Sequence, residues 1–220
     1  MNQDVIHVYF MPGMAASSKI FEYINLPEPK FKSHYLEWTM PASNESISEY
    51  AFRMSKKIIN KNCVLIGVSF GGIMVQEMSK HISVRKLIII SSIKSHKELP
   101  KKMVLAKVTK AYKLLPVQLA SNIELFAKYV FGNNIPKRIE LYKKYMLFSS
   151  SIYLSWAIEK MVCWDQKEVI PSIIHIHGDK DTVFPMKYIT DCINISNGTH
   201  IMILNKYKWF NENLPKLILS

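Results

Sequence analysis

Residues Cys63 to Met78 read "CVLIGVSFGGIMVQEM", and this stretch decides the fold. The apolar run from Cys63 to Gly67 predicts a strand, and the spacing from Phe70 to His81 predicts a helix. Between them a serine, Ser69, stands two residues after Gly67 and two before Gly71. An ordinary turn does not need that arrangement. A serine used as a nucleophile does, because its hydroxyl must be lifted clear of the sheet beside a base. The backbone N–H that follows it must also aim at a reacting carbonyl oxygen. Glycines on either side remove the Cβ atoms that would clash where strand and helix approach.

Working outward, Val5 to Phe10 ("VIHVYF") reads as a strand that ends at the turn signal Pro12-Gly13. Ser17 and Ser18 open a short helical segment with Ile20, Phe21 and Ile24 on its apolar face, and Pro27 and Pro29 end it. His34 to Trp38 reads as a second strand, Ser46 to Asn60 as a helix, and Arg85 to Ile90 as a further strand. From about residue 94 to 165 only helical patterns occur, punctuated by Pro100, Pro116 and Pro136. Strand character returns over Ser172–His177 and Asp191–Ile195, and the tail from Ile201 to Asn213 is helical. Strands alternating with helices predict an α/β fold, a doubly wound, mostly parallel sheet of about six strands. Residues 94–165 are too long for one crossover and read as a helical cap insertion. Residues 1–93 and 166–220 then form the core.

The elbow needs a base and an acid. Of seven histidines, His175, His177 and His200 follow the insertion, and His200 lies in "SNGTHIM", a loop between the last strand and the last helix. Such a loop can reach back over the sheet edge. The segment "IHIHGDKDTVFP" ends a strand at Gly178 and offers two carboxylates, Asp179 and Asp181. A carboxylate there can accept the imidazole N–H and fix its tautomer. The residues alone leave both aspartates open. The same segment carries His175 and His177 on one strand face. With Asp179 this approaches the H-x-H-x-D run of metallo-β-lactamases, but Lys180 stands where that family has histidine. No metal is expected.

Gly67-Val68-Ser69-Phe70-Gly71 in strand–turn–helix context is a G-x-S-x-G nucleophile elbow. With it the chain resembles α/β-hydrolase-fold proteins over nearly its whole length outside the insertion. The resemblance implies a triad in the order nucleophile, acid, histidine. The family pattern H-G-x-x-D-x-x-x-P matches His177, Gly178, Asp181 and Pro185, which selects Asp181 as acid and leaves Asp179 as a turn carboxylate capping backbone N–H groups. It also implies an oxyanion hole from the backbone N–H groups of Phe70 and Met14, although Pro12-Gly13-Met14 stands where relatives have His-Gly-x. The first strand already leads to the oxyanion loop, so the two antiparallel strands that open fuller members are not expected, and the strand order implied is second, first, third, fourth, fifth, sixth.

The expected reaction is cleavage of a carboxylic ester or thioester through an acyl-enzyme on Ser69. Asp181 orients His200, no cofactor is required, and Met14 and Phe70 flank an apolar acyl pocket. Lyase-type chemistry and a non-hydrolytic ligand-binding role are the alternatives within the fold. The chain carries a net charge of +12, and residues 94–165 hold thirteen basic residues against five acidic, a net +8. A basic outer face is solvated lysine by default. The sharper reading is docking of an acidic acyl carrier protein, as in pimeloyl-carrier methyl ester hydrolases. No nucleic-acid motif is present. With no basic leader and no apolar run of membrane length, a cytoplasmic protein is expected. Three widely spaced cysteines, Cys63, Cys163 and Cys192, make no disulfide framework.

Overall fold

A computed structural model describes residues 5–114, 144–145 and 150–220. Strands β1 (Ile6–Met11), β2 (Phe31–Tyr35), β3 (Cys63–Val68), β4 (Val84–Ile90), β5 (Ile174–Gly178) and β6 (Ile193–Ile195) form one sheet. Their order is β2-β1-β3-β4-β5-β6 and every pair is parallel, as expected from the sequence. β2 lies three residues before the expected strand. Its pairing starts at Ile6 and Phe31, immediately after the two prolines, where Ile6 N–H donates to Lys30 O at 2.9 Å. Trp38, expected at the strand's end, lies past the ladder, and its indole N–H donates to Gly13 O instead.

Alternation along each strand sorts side chains onto two faces. From β3, Cys63 and Leu65 enter one apolar cluster while Val64, Ile66 and Val68 enter the other. From β4, Leu87 and Ile89 go to the first and Ile88 and Ile90 to the second. All six positions of β3 are buried, which is why it reads as an unbroken apolar run rather than an alternating one.

Helices α1 (Ile47–Ser55), α2 (Phe70–Met78) and α4 (Ser151–Val162) contribute to the first cluster. α1 begins at a reciprocal cap. Ser46 Oγ accepts Glu49 N–H at 3.2 Å, and Glu49 Oε2 accepts Ser46 N–H at 2.8 Å. It ends five residues before the expected Asn60, as Lys57 and Ile58 tighten into turns. α5 (Met202–Asn205) and α6 (Tyr207–Leu219) cover the second face with Met202, Phe210, Leu214 and Ile218. The helical turn Ser18–Phe21 joins them with Ile20 and Phe21.

Between β4 and β5 the elements among the described residues are helical: a 3-10 turn at His96–Glu98, α3 (Lys101–Thr109), a second turn at Ala111–Leu114, and α4. The expectations on Pro116, Pro136 and the apolar and basic positions from 115 to 143 fall outside the described residues. α4 buries Tyr153, Leu154, Trp156, Ala157 and Val162, whereas α3 buries none of its residues. Lys94, counted among the basic surface, is buried. Its ammonium donates to Thr190 O at 2.5 Å and Asp191 O at 3.1 Å, tying the end of β4 to the loop before β6. Lys144 pairs with Glu22 at 2.5 Å. No helix among the described residues is long and apolar enough to cross a membrane.

Candidate active site

Ser69 sits between β3 and α2 with φ 54° and ψ −123°, a region that a side chain makes unfavourable. Its neighbours hold it there. Ser69 N–H donates to Ile90 O at 2.9 Å, and Ser69 O accepts from Ser92 Oγ at 2.7 Å and Gly72 N at 2.9 Å. The flanking glycines have steric reasons. A Cβ on Gly67 would lie 2.2 Å from Gly71 O, and one on Gly71 would lie 2.3 Å from Pro12 O and 2.5 Å from Met11 O. Strand, helix and the loop after β1 therefore meet at backbone contact around the serine.

His200 and Asp181 come from the two loops beyond β5 and β6. A Cβ on Gly178 would stand 2.2 Å from Gly198 O, and Lys180 N–H donates to that oxygen at 2.9 Å. This contact lays the His200 loop directly on the Asp181 turn. The segment between them is short, its helical part reduced to a 3-10 turn at Met186–Tyr188 ahead of β6. His200 Nδ1 lies 2.8 Å from Asp181 Oδ2, and His200 Nε2 lies 2.9 Å from Ser69 Oγ. With Nδ1 carrying the proton donated to the carboxylate, Nε2 presents its lone pair to the serine hydroxyl.

Asp181 Oδ1 also accepts the N–H groups of Val183 at 2.8 Å and Phe184 at 2.9 Å. Burial pushes the Asp181 pKa up, but the charge and hydrogen bond of His200, with His177 and the Phe184 N–H, outweigh it and hold the pKa below the usual carboxylate range. The capping role expected of Asp179 thus belongs to Asp181. Among the described residues Asp179 Oδ1 is buried with no hydrogen-bond partner.

Behind Asp181 stand the two strand histidines. His177 Nε2–H donates to Phe184 O at 2.8 Å, which leaves Nδ1 to accept from His175 Nε2–H at 3.1 Å. Both rings are buried, and their facing nitrogens bond each other. Burial, helped by His177 and Lys94, pulls the His175 pKa down to about 2.

The loop carrying Met14 lies against the serine, since a Cβ on Gly13 would be 3.4 Å from Ser69 Cβ. Among the described residues the N–H groups of Met14 and Phe70 have no acceptor. Phe70 is fully buried, stacked on Trp38 at 5.2 Å and edge-on to Trp156 at 6.1 Å, so its ring packs the core. Met14 is partly buried against the same cluster. Two further residues touch this loop and were not singled out from the sequence. Trp38 Nε1–H donates to Gly13 O at 2.8 Å, and Tyr153 Oη accepts Ala15 N–H at 3.4 Å. No spacing rule reaches them, because they arrive from the end of β2 and from α4.

No family model matches the sequence, and no curated protein matches it. Solved structures do. An esterase from Exiguobacterium antarcticum superposes with a TM-score of 0.69 at 19% identity, covering 98% of this chain and 92% of that one. A lipase-esterase related protein from Clostridium acetobutylicum gives 0.68 at 17%, covering 98% and 96%. A bromoperoxidase from Bacillus anthracis gives 0.67 at 15%, covering 98% and 92%. Likeness over whole chains at such low identity speaks to architecture, and with the parallel six-stranded sheet and the serine at the β3–α2 turn it settles the point: the chain has the α/β-hydrolase fold.

Proposed function

We propose that the protein is a serine hydrolase that cleaves a carboxylic ester or thioester through an acyl-enzyme on Ser69. The observation that carries this reading is the unbroken line from Ser69 Oγ through His200 to Asp181, with contacts of 2.9 and 2.8 Å. His200 Nε2 takes the hydroxyl proton as Ser69 Oγ attacks the acyl carbon, and Asp181 stabilises the imidazolium that forms. Met14 and Phe70 N–H groups hold the oxyanion. The tetrahedral intermediate collapses, the C–O or C–S bond to the leaving group breaks, and His200 returns the proton to that group. Water then attacks the acyl-enzyme by the same steps, releasing the acid and restoring Ser69. The reaction needs no cofactor.

The esterases among the similar structures support this choice of substrate class. In this reading residues 94–165 are an insertion, whose residues 115–143 and 146–149 lie outside the described ones, residues 1–93 and 166–220 form the core, and the protein acts in the cytoplasm. The test is a fluorophosphonate probe together with p-nitrophenyl esters of graded chain length. Ser69 should be the labelled residue, and Ser69→Ala should lose both labelling and turnover. Labelling that persists in Ser69→Ala overturns the assignment.

A second reading concerns the leaving side of the substrate. α3 buries none of its residues, and it sets the exposed Lys101 and Lys102 beside Leu105 and Val108, which are 63% and 75% exposed. A basic, partly apolar surface of this kind favours an acyl group delivered on an acidic carrier protein.

A further inference from the structure

We infer that Trp38 is the positioning residue of the oxyanion hole, holding both of its backbone donors at once. The inference rests on the hydrolase reading above. The Gly13 carbonyl and the Met14 N–H belong to one peptide group, and Trp38 Nε1–H donates to that carbonyl at 2.8 Å. Because a peptide group is planar, fixing the direction of its C=O fixes the direction of its N–H on the opposite side. A hydrogen bond to the carbonyl also polarises the group and makes the N–H a better donor.

The same indole stacks on Phe70 in a parallel, offset arrangement, with ring centroids 5.2 Å apart and planes 14° from parallel. Phe70 carries the other donor. A buried indole needs an acceptor for its N–H in any fold. What singles out Trp38 is which acceptor it takes and which ring it covers.

The need for such a support is local. Pro12 stands where the resembled family has histidine, so the residue before Gly13 offers neither a side-chain nor a backbone donor. Ala15, two residues on, has φ 61°, an unfavourable value for a residue with a Cβ, and Ala16 N–H returns to Gly13 O at 3.1 Å. The loop is a tight turn under strain, and Trp38 holds it from outside. Trp38 is itself fixed. It is 4% exposed, its ring lies 5.5 Å from Tyr153 and 6.1 Å from Tyr50, and the next residue's N–H donates to Tyr50 Oη at 2.9 Å.

A positioning role makes a specific demand on kinetics. The oxyanion exists only in the transition state and the tetrahedral intermediate, so misplacing its donors lowers kcat and leaves KM nearly alone. Outright loss of one oxyanion donor costs about 10² to 10³ in kcat. Here the donor remains and only its support goes, so Trp38→Phe, which keeps a ring on Phe70 and removes the N–H, should lower kcat by roughly 10-fold to 100-fold. KM should stay within about twofold.

The distinguishing measurement is the inhibition constant of a trifluoromethyl ketone, which adds to Ser69 Oγ and places an alkoxide in the oxyanion hole. Its affinity should fall in parallel with kcat/KM in Trp38→Phe, while affinity for the matching alcohol, which forms no adduct, should not move. Replacing Trp38 with benzothienylalanine, which has the indole's shape and a sulfur in place of the N–H, guards against loss of folding and should reproduce the effect. Unchanged kcat and unchanged trifluoromethyl ketone affinity in a folded variant overturn the inference. Failure of fluorophosphonate to label Ser69 in the unsubstituted protein instead overturns the hydrolase reading itself.

Discussion

Asp181→Asn should reduce kcat/KM for an ester by about four orders of magnitude, and the hydrogen-bond inventory around the carboxylate says why. Oδ1 accepts two backbone N–H groups, from Val183 and Phe184, while Oδ2 accepts from His200 Nδ1. An amide has one acceptor oxygen and one donor nitrogen. Turning the amide nitrogen toward Val183 and Phe184 would set donor against donor twice in a buried site. The oxygen therefore takes the Oδ1 position and the NH2 group faces His200 Nδ1. That nitrogen must then present a lone pair, so the ring proton moves to Nε2, the atom facing Ser69 Oγ. The base is occupied by the proton it ought to be ready to accept.

A loss of 10⁴ corresponds to about 5.5 kcal/mol of transition-state stabilisation. Folding should survive, because the turn keeps its oxygen acceptor. The assay is p-nitrophenyl ester turnover with a thermal melt on the same sample, and Asp179→Asn as control. A well-folded Asp181→Asn protein within tenfold of the unsubstituted rate, or a larger loss in Asp179→Asn, would refute the tautomer argument. Asp181 also leaves a mark on stability. Its native pKa is depressed, so its contribution is complete above the unfolded value near 4 and is lost as pH falls through the lower native pKa. Below about pH 4 the unsubstituted protein should therefore lose stability more steeply than Asp181→Asn.

Gly71→Ala would put a Cβ 2.3 Å from Pro12 O, about 1 Å inside ordinary contact, so the oxyanion loop must recoil by about that much. The expected result is a loss of roughly 100-fold in turnover, with a stability cost of about 1–3 kcal/mol read by denaturant melts; turnover within a few-fold would show that the loop tolerates the shift. His175 is neutral in the fold down to about pH 2 but takes up a proton near pH 6.5 when unfolded, so stability should fall with acidification through that window by up to about 1.4 kcal/mol per pH unit. His175→Gln should flatten this slope, and parallel pH–stability curves would contradict it. If an acidic carrier docks on α3, added salt and Lys101→Glu with Lys102→Glu should slow hydrolysis of a carrier-bound ester while sparing a small neutral ester. Equal salt dependence for both substrates would leave those lysines as ordinary surface.

Much of this protein is set by its sequence, because the signals are local. The run Cys63–Val68 followed by Ser69 between glycines specifies strand, turn and helix within a few bonds, and the backbone approaches at Gly67 and Gly71 give the steric reason. Alternating strands and helices likewise dictate a parallel sheet, since parallel neighbours need long crossovers. Between Asp179 and Asp181 the residues alone left both open, and the resemblance selected Asp181 without giving the physical reason. That reason is tertiary: contact between Gly178 and Gly198 sets the His200 loop on the turn so that Asp181, not Asp179, faces the imidazole. Trp38 shows the same limit more sharply. Its spacing placed it at the end of a strand, yet the pairing of β1 with β2 begins three residues earlier and leaves it beyond the ladder. The ends of two parallel strands lie side by side only in the folded sheet, and that proximity, which no period in the chain encodes, delivers its indole N–H to Gly13.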